Sequence, residues 1–583
     1  MGMLACKRWY IAPPAPPVFF ERLPSIPPLV AQVLYNRGIT TCEEAAAFLQ
    51  GTFEPDNPFR MQDMPRAVTL LRKAIARHNP IVIYGDYDVD GVTASAILVQ
   101  TLESLGAQVT VHIPNRLDEG YGLNVEAITE LAQGGARVLI TVDCGIRSLN
   151  EVAVARQLGM TVIVTDHHHI GPALPQANAV INPRRSDCTY PFKDLAGVGV
   201  AYKLAQALLR ANRQVPLLTT QFLLDEADLL DLVALGTVAD MVPLLGENHM
   251  LVLQGLVRIN EARRPGLSAL MELSGVAPGT VTTKSIGFVL APRLNAAGRL
   301  SEAMTSLELL LAPDMKSAVP LAKDLNTLNE ERRNLTLSVQ ERARELIIAR
   351  GEMPPLLFAA SPDFPHGVVG LAASRLLDEF YRPAVVVSIE DEWSKGSARS
   401  IPEFHITEAL DAVGDLLLHH GGHSAAAGFT IATDRLPDLE TRLLALARER
   451  FAGAPPTPIL QVDAEVPLES LSWDVYHALE HLEPFGYGNA VPVLVSRNAR
   501  VIDYRAVGAD GRHLKLRLAD DHGGVWDAIA FRQGQWMGHL PGRIDLAYML
   551  EANSWNEHVN LQLNVQDIHV PGEEEAQQEA AHE

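Results

Sequence analysis

The apolar residues Ile81, Val82, Ile83 and Tyr84 lead straight into Gly85-Asp86-Tyr87-Asp88-Val89-Asp90-Gly91, which sets three carboxylates within five residues of one another. A short run that is apolar at every position reads as a strand buried on both faces, as in a parallel sheet. Carboxylates crowded at the end of such a strand repel one another and lose hydration, so the arrangement is hard to keep without a cation. An EF-hand calcium loop does not fit. Its twelfth position, counted from Asp86, is Ile97 where a bidentate glutamate is needed, and a strand rather than a helix precedes it.

The placement recurs. Asp143-Cys144-Gly145 follows the apolar residues 138–142, and Asp166-His167-His168 follows 161–165. With further apolar runs at 109–113 and 179–181 and helical stretches between them, the pattern predicts an α/β domain with a parallel sheet covered on both faces. Strand C-termini share one edge of such a sheet, so all three clusters can converge there. A lone aspartate after a strand is often only a helix N-cap, and a lone histidine is often a core or surface residue. Recurrence on three strands favours a site. Asp240 lies in the otherwise apolar stretch 232–241, where a carboxylate must be a cap, an ion-pair partner or a metal ligand. Oxygen and imidazole donors without a thiolate cluster favour Mn²⁺ or Mg²⁺ over structural zinc. The donors outnumber what one ion takes, so two ions sharing a bridging aspartate are expected, an arrangement suited to hydrolysing a phosphodiester.

With 583 residues, 47% hydrophobic, the chain can bury several cores and is neither collagen-like nor mainly disordered. The formal charge of -22 argues against coating nucleic acid by bulk charge, while leaving room for a local basic track. Cys6, Cys42, Cys144 and Cys188 form no CxxC pair, so neither a disulfide framework nor a zinc site is expected. Without an apolar run long enough to span a bilayer or a signal peptide, the expected location is cytoplasmic, with no membrane contact. Residues 1–63, with proline clusters and a helical pattern at 42–50, read as an N-terminal extension without chemistry. The division that follows is 64–315 for the first α/β domain, 316–350 for a long connecting helix, 351–454 for a second α/β domain, and 455–570 for a small antiparallel barrel. The tail 571–583, with five glutamates and no Lys or Arg, reads as acidic and disordered.

The four motifs around Asp88, Asp143, His167 and Asp240, in this order and spacing, resemble those of the DHH phosphoesterase family. The stretches 113–123, 195–200 and 292–299 are similar to its single-stranded-DNA-specific 5′ to 3′ exonucleases, as are 366–370, 395–400 and Gly421-Gly422-His423 in the second domain. The resemblance runs from about residue 65 to 570. It implies a parallel-sheet DHH domain and an α/β DHH-associated domain joined by the long helix, then an OB-fold barrel. It implies metal ligands at Asp88, Asp90, Asp143, His167 and Asp240, with Asp86 in or beside the set, and catalytic roles for Asp143, Asp166 and His168, the last facing the scissile phosphate. Cys144 stands where some members carry asparagine; with Asp143 and Gly145 kept, the difference is expected to be tolerated.

The same resemblance implies a 5′-phosphate site at Arg299, Arg375, Ser397 and Arg399, with His423 placing the phosphate. Arg116 and Tyr121 would hold and stack the strand, and Asn329 and Arg332 would contact its backbone. Arginine forks and a hydroxyl suit phosphate chemically, although any one arginine is as often a surface ion-pair partner. Residues 421–429 lack the GK[ST] ending of a P-loop, and 197–202 lack the third small residue of a dinucleotide fingerprint, so nucleotide cofactors are not indicated. Residues 486–570 carry eight basic against nine acidic side chains, nearly neutral on an acidic protein. Trp526, Phe531, Trp536 and Trp555 there are either stacking platforms or barrel core. The expected activity is release of 5′-mononucleotides from single-stranded DNA in recombination and repair, by a monomer, with a single-strand-binding protein and a helicase as partners. Two alternatives stay open: a phosphodiesterase of oligonucleotides or cyclic dinucleotides, and a non-catalytic DNA-binding scaffold.

Overall fold

A computed structural model describes residues 7–51, 56–115, 122–217, 224–452, 456–508, 510–555 and 558–572. The chain divides into two compact units. Met1–Ala45, Leu335–Glu483 and Val491–Glu583 make up the first, and Ala46–Asn334 with Pro484–Ala490 the second.

The second unit is built on five short strands: β1 (Ile81–Tyr84), β2 (Val109–His112), β3 (Val138–Val142), β4 (Thr161–Thr165) and β5 (Ala179–Ile181). All pair in parallel, in the spatial order β2-β1-β3-β4-β5. Every residue of β1 and β3 is buried, because helices cover both faces. The strand order reverses between β1 and β3, and the crevice outside the strand ends at such a reversal is where α/β sheets bind ligands. Asp86–Asp90 follow β1 and Asp143 follows β3, so both clusters open onto that crevice.

Four helices of this unit bear on the site: α1 (Val89–Ser104), α2 (Gly197–Gln214), α3 (Leu230–Ala239) and α4 (Gly246–Asn260). Helix α1 is capped by Asp88, whose Oδ1 accepts from the amides of Asp90 (2.8 Å) and Gly91 (3.1 Å). The sequence 232–235 is apolar all round because α3 is buried on every side. A further helix, α5 (Ala291–Leu300), follows a π-helical turn at Ile286–Leu290. The long helix expected after residue 315 is present as α6 (Met315–Ile348).

In the first unit, strands β6 (Leu357–Ser361), β7 (Ala384–Ser388), β8 (Trp393–Arg399), β9 (Leu417–His423) and β10 (Ala426–Ala432) form a mixed sheet in the order β9-β10-β8-β7-β6. Helix α7 (His366–Phe380) lies between β6 and β7 in sequence. The barrel comprises β11 (Ala464–Glu465), β12 (Leu494–Val507), β13 (His513–Ala519), β14 (Val525–Ala530), β15 (Arg543–Trp555) and β16 (His558–His569). Pairing of β12 with β15 closes the ring β12-β13-β14-β16-β15. The all-antiparallel expectation needs correction: β14 pairs with β16 in parallel, as does β11 with β12. A five-stranded ring cannot alternate direction throughout, so at least one parallel pair is required.

The described N-terminal residues up to Ala45 are part of this unit. Arg8–Ile11 pairs in parallel with Ile459–Val462. Trp9 stacks on His569 at 3.9 Å and donates to Asp567 Oδ2, while Asn36 and Arg37 bond Asp463. Residues 46–63 belong to the second unit. Of the tail expected at 571–583, residues 573–583 lie outside the described residues, as do 453–455 at the expected boundary before the barrel.

Candidate metal centre

The motifs at Asp86–Asp90, Asp143 and Asp166–His168 leave the sheet at the ends of strands, Asp240 follows α3, and the backbone at these points is tightly specified. Asp143 adopts φ +60, a left-handed conformation that costs a non-glycine residue about 1 kcal/mol or more and persists only where its surroundings enforce it. Those surroundings include Gly197 at the start of α2. A side chain on Gly197 would come within 2.7 Å of Asp143 Cβ and Oδ1. The same helix terminus grips Asp90, with the amide of Gly197 donating to Oδ2 (2.6 Å) and that of Val198 to Oδ1 (2.7 Å).

The motifs converge. His167 Nε2 lies 3.1 Å from Asp143 Oδ1, 3.6 Å from Asp240 Oδ2 and 3.8 Å from Asp90 Oδ2. Three donor groups each gather ligand atoms within 4.8 Å: Asp143 with His167 and His168, Asp90 with His167 and Asp240, and Asp86 with Asp88 and Asp143. Asp88 therefore serves as helix cap and as a member of the cluster at once. Asp166 stands outside these groups. Its Oδ2 accepts from the Ile146 amide (2.9 Å), and its Oδ1 from the amides of His167 and His168 and from the His168 ring at Nδ1 (2.8 Å).

The electrostatics show what the cluster lacks. Burial, and then the charge of Asp88, push the Asp90 carboxyl up to about 7 against the opposing amides of Val198 and Gly197. Burial followed by the neighbouring aspartates holds Asp143 and Asp240 well above the ordinary carboxylate range. Burial and the charge of His168 press His167 down to about 3, so it is neutral and free to donate a lone pair. Burial opposes ionisation of Asp166, but its bonds to His168 outweigh this and hold the carboxyl below its ordinary value. Burial likewise opposes charging of His168, and Asp166 with the surrounding carboxylates reverses the balance, raising its pKa. Asp143 Oδ1, Asp240 Oδ2 and His167 Nε2 are buried with no hydrogen-bond partner among the described residues. Orphaned oxygens and an imidazole nitrogen facing one point are the donor set of a hard or borderline divalent cation, so the residues fit Mn²⁺ or Mg²⁺.

The other expected site residues are more dispersed. Arg116 and Tyr121 lie outside the described residues. In the second unit, Arg299 occupies the last turn of α5, and on α6 Arg332 donates to Asn329 (2.8 Å), which is buried. In the first unit, Arg399 donates to Ser397 Oγ (3.0 Å), and both crowd Gly370 of α7, where a Cβ would meet Ser397 Oγ at 2.9 Å and Arg399 Nη2 at 3.0 Å. Arg375 instead bonds Gln340 of α6 (3.3 Å). His423 is exposed at the end of β9, and its carbonyl accepts from Thr407. In the barrel, Trp526 and Trp536 are half-buried and Phe531 is exposed, so these three do not fill the core. Leucines such as Leu514, Leu516, Leu518 and Leu563 do.

Sequence reasoning missed Asn295, whose Oδ1 accepts from the Val89 amide (3.1 Å), and the α2 amides that hold Asp90. Both lie in stretches with family likeness. Nothing in their residue types says they reach the acidic loop.

Three family models match the chain: the DHH family N-terminal domain over residues 80–237, the DHHA1 domain over 354–452 and the RecJ OB domain over 462–567. Fold and site thus define a protein of the DHH class. The chain is 40% identical over 551 residues to the single-stranded-DNA-specific exonuclease RecJ of Bacillus subtilis, covering 94% of this chain and 68% of that protein. It is 37% identical to the RecJ of Dickeya dadantii, covering 93% and 96%. The crystal structure of Thermus thermophilus RecJ in complex with Mn²⁺ superimposes with a TM-score of 0.83 at 31% identity, over 97% of this chain and 80% of that one. The chain belongs to the RecJ family of single-stranded-DNA-specific exonucleases.

Proposed function

We propose that the chain is a single-stranded-DNA-specific 5′ to 3′ exonuclease that hydrolyses phosphodiesters and releases 5′-mononucleotides. The observation that carries this is the gathering of Asp86, Asp88, Asp90, Asp143, His167 and Asp240 into donor groups linked through Asp143 and His167, with orphaned donor atoms. These residues would hold two ions, Mn²⁺ or Mg²⁺, the metals with which Thermus thermophilus RecJ forms its crystallised complexes. Bound there, divalent ions supply Lewis-acid polarisation of the phosphodiester and a more acidic water.

The chain's own groups do the rest. The amides of Gly197 and Val198 aim both oxygens of Asp90, and the cap geometry leaves the second oxygen of Asp88 for the cluster. Asp166 accepts a hydrogen bond from His168 Nδ1–H, which fixes that ring and favours its cationic form. Cationic His168 offers Nε2–H to a phosphate oxygen or to the departing 3′ oxygen.

Ser397 and Arg399 supply a hydroxyl and a guanidinium suited to a 5′-phosphate, with Arg299, Arg375 and His423 assigned to the same task. Arg116, Tyr121, Asn329 and Arg332 are assigned to the strand. Exposed Phe531 and half-buried Trp526 and Trp536 offer stacking faces on the barrel. The division at 64–315, 316–350, 351–454 and 455–570 is part of this proposal. So are cytoplasmic location, a monomeric state, a role in recombination and repair, and partnership with a single-strand-binding protein and a helicase. Among the described residues no helix is long and apolar enough to cross a membrane.

A time course on 5′- and 3′-labelled single strands with Mn²⁺, Mg²⁺ or chelator tests the reading. Early release of the 5′ label as a mononucleotide, abolished by chelator, is expected. Equal release from both ends, or release without divalent ions, would overturn it.

A further inference from the structure

The ligands of the centre are not held alike. Asp90 is gripped by two amides and Asp88 by two. Asp240, like Asp143, has an oxygen that no hydrogen bond from the described residues reaches, its Oδ2, so the backbone that carries Asp240 bears on where that oxygen points. That backbone turns sharply, because Asp240 ends α3 and the next residue, Met241, adopts φ +61. A left-handed methionine holds its place only where neighbouring structure enforces it.

The enforcing structure comes from far along the chain. Pro484–Ala490 belongs by its contacts to the second unit, although the residues on either side of it belong to the first. The Tyr487 carbonyl accepts from the Leu244 amide (2.7 Å), and the Phe485 carbonyl accepts from Thr283 Oγ1 (2.5 Å). Gly486 seats so closely that a Cβ would meet Leu244 Cδ1 at 2.5 Å. Gly488, at φ +74, would place a Cβ 3.0 Å from that of Pro243. Asn248 of α4 also donates to the carbonyls of Pro243 (3.0 Å) and Asp194 (2.6 Å). The turn after Asp240 is thus tied both to α4 and to the 484–490 segment.

We propose that Pro484–Ala490 is a positioning element for Asp240, setting the turn at 241–245 and thereby the affinity and geometry of the metal centre. The inference rests on Asp240 being a metal ligand, and the test separates the two. Gly486 and Gly488 act through this turn and do not touch the reacting atoms.

The experiment is calorimetric titration of the full metal-free chain with Mn²⁺, alongside kcat and KM on a 5′-phosphorylated single strand. Gly488→Ala is expected to weaken Mn²⁺ binding about tenfold, the usual scale for residues that orient a ligand. It should lower kcat at limiting Mn²⁺ and leave KM for DNA unchanged. Thr283→Val, which removes only the bond to Phe485, should weaken binding about threefold and serves if Gly488→Ala does not fold. Gly275→Ala carries similar backbone strain at φ +75 with no neighbour within 4 Å, and should leave Mn²⁺ binding unchanged. If Asp240→Asn weakens Mn²⁺ binding while Gly488→Ala and Thr283→Val do not, the positioning role is overturned and the metal centre stands. If Asp240→Asn leaves Mn²⁺ binding intact, the assignment of Asp240, and the inference with it, falls.

Discussion

Helix α2 joins two clusters of buried charge in opposite conditions. At its first turn the amides of Gly197 and Val198 meet Asp90, within a set of aspartates whose carboxyls are forced upward by burial and by one another. Further along the helix, Lys203 forms an ion pair with Glu247 of α4, both wholly buried. The Tyr190 hydroxyl donates to the same glutamate (2.6 Å), and the lysine lies over the tyrosine ring. Burial and then the Glu247 charge keep the Tyr190 proton in place. One cluster pairs opposite charges, Lys203 with Glu247, although burial still presses the lysine's pKa down. The other gathers carboxylates with no buried cationic side chain among the described residues to offset them and is completed by a cation. Depth of burial does not separate a site from a structural pair; the balance of charge does.

The sharpest way to break this comparison is Asp143→Asn. It should cut hydrolysis by at least about 10³-fold, the scale of losing a group central to transition-state charge. It should also stabilise the metal-free protein by about 1 kcal/mol or more, since a like charge leaves the cluster. Activity assays and denaturant unfolding of chelated protein measure the two. A variant that loses activity and stability together would show the cluster to be structural.

Lys203→Met should do the reverse, costing about 3–5 kcal/mol because Glu247 is left buried and unpaired. The fraction that folds should keep Mn²⁺ affinity. Adding Glu247→Met should recover much of the loss, as hydrophobic replacements of buried pairs commonly do. Thermal melts of the single and double variants decide it, and a double variant no better than the single would mean that the pair does more than balance charge.

A smaller effect sharpens the contrast through pH. Asp90, Asp143 and Asp240 have folded pKa values above their unfolded ones, so between about pH 4 and 7 the folded metal-free protein binds extra protons. The stability this contributes is present at low pH and is lost as pH rises through the folded values. The melting temperature of chelated protein should therefore rise from pH 7.5 to pH 5.5 more in the parent than in Asp143→Asn. The melting shift caused by Mn²⁺ should be larger at pH 7.5, because the cation competes with those protons. Equal slopes in parent and variant would remove Asp143 from the coupled set.

Smaller still, Phe531→Ala should weaken single-strand binding by about 1 kcal/mol, as loss of one stacking face does, and leave Mn²⁺ binding untouched. Fluorescence anisotropy with a labelled strand checks this.

The parallel sheet was legible because its strands are short, largely apolar runs and three of them are followed by acidic or imidazole residues. Those are local facts of order and spacing, and the runs at 81–84, 138–142 and 161–165 emerge as β1, β3 and β4. The candidate ligands were legible for the same reason, since strand ends of one parallel sheet share an edge. The barrel was legible as strands but not in its pairing, because strand direction around a closed ring depends on connections whose path no local pattern encodes. Lys203 and Glu247 gave no signal: a lysine in a helix reads as a surface residue, and only packing placed an acid beside it.

Sequence by itself thus determined which residue types stand at the ends of which strands, and with them the chemistry available, because composition and period are properties of neighbours along the chain. Tertiary structure alone decided which carboxylates have donors, which are orphaned, and that the segment near residue 487 braces the turn after Asp240. Distances between residues remote in sequence, and the desolvation that comes with them, exist only once the chain has packed.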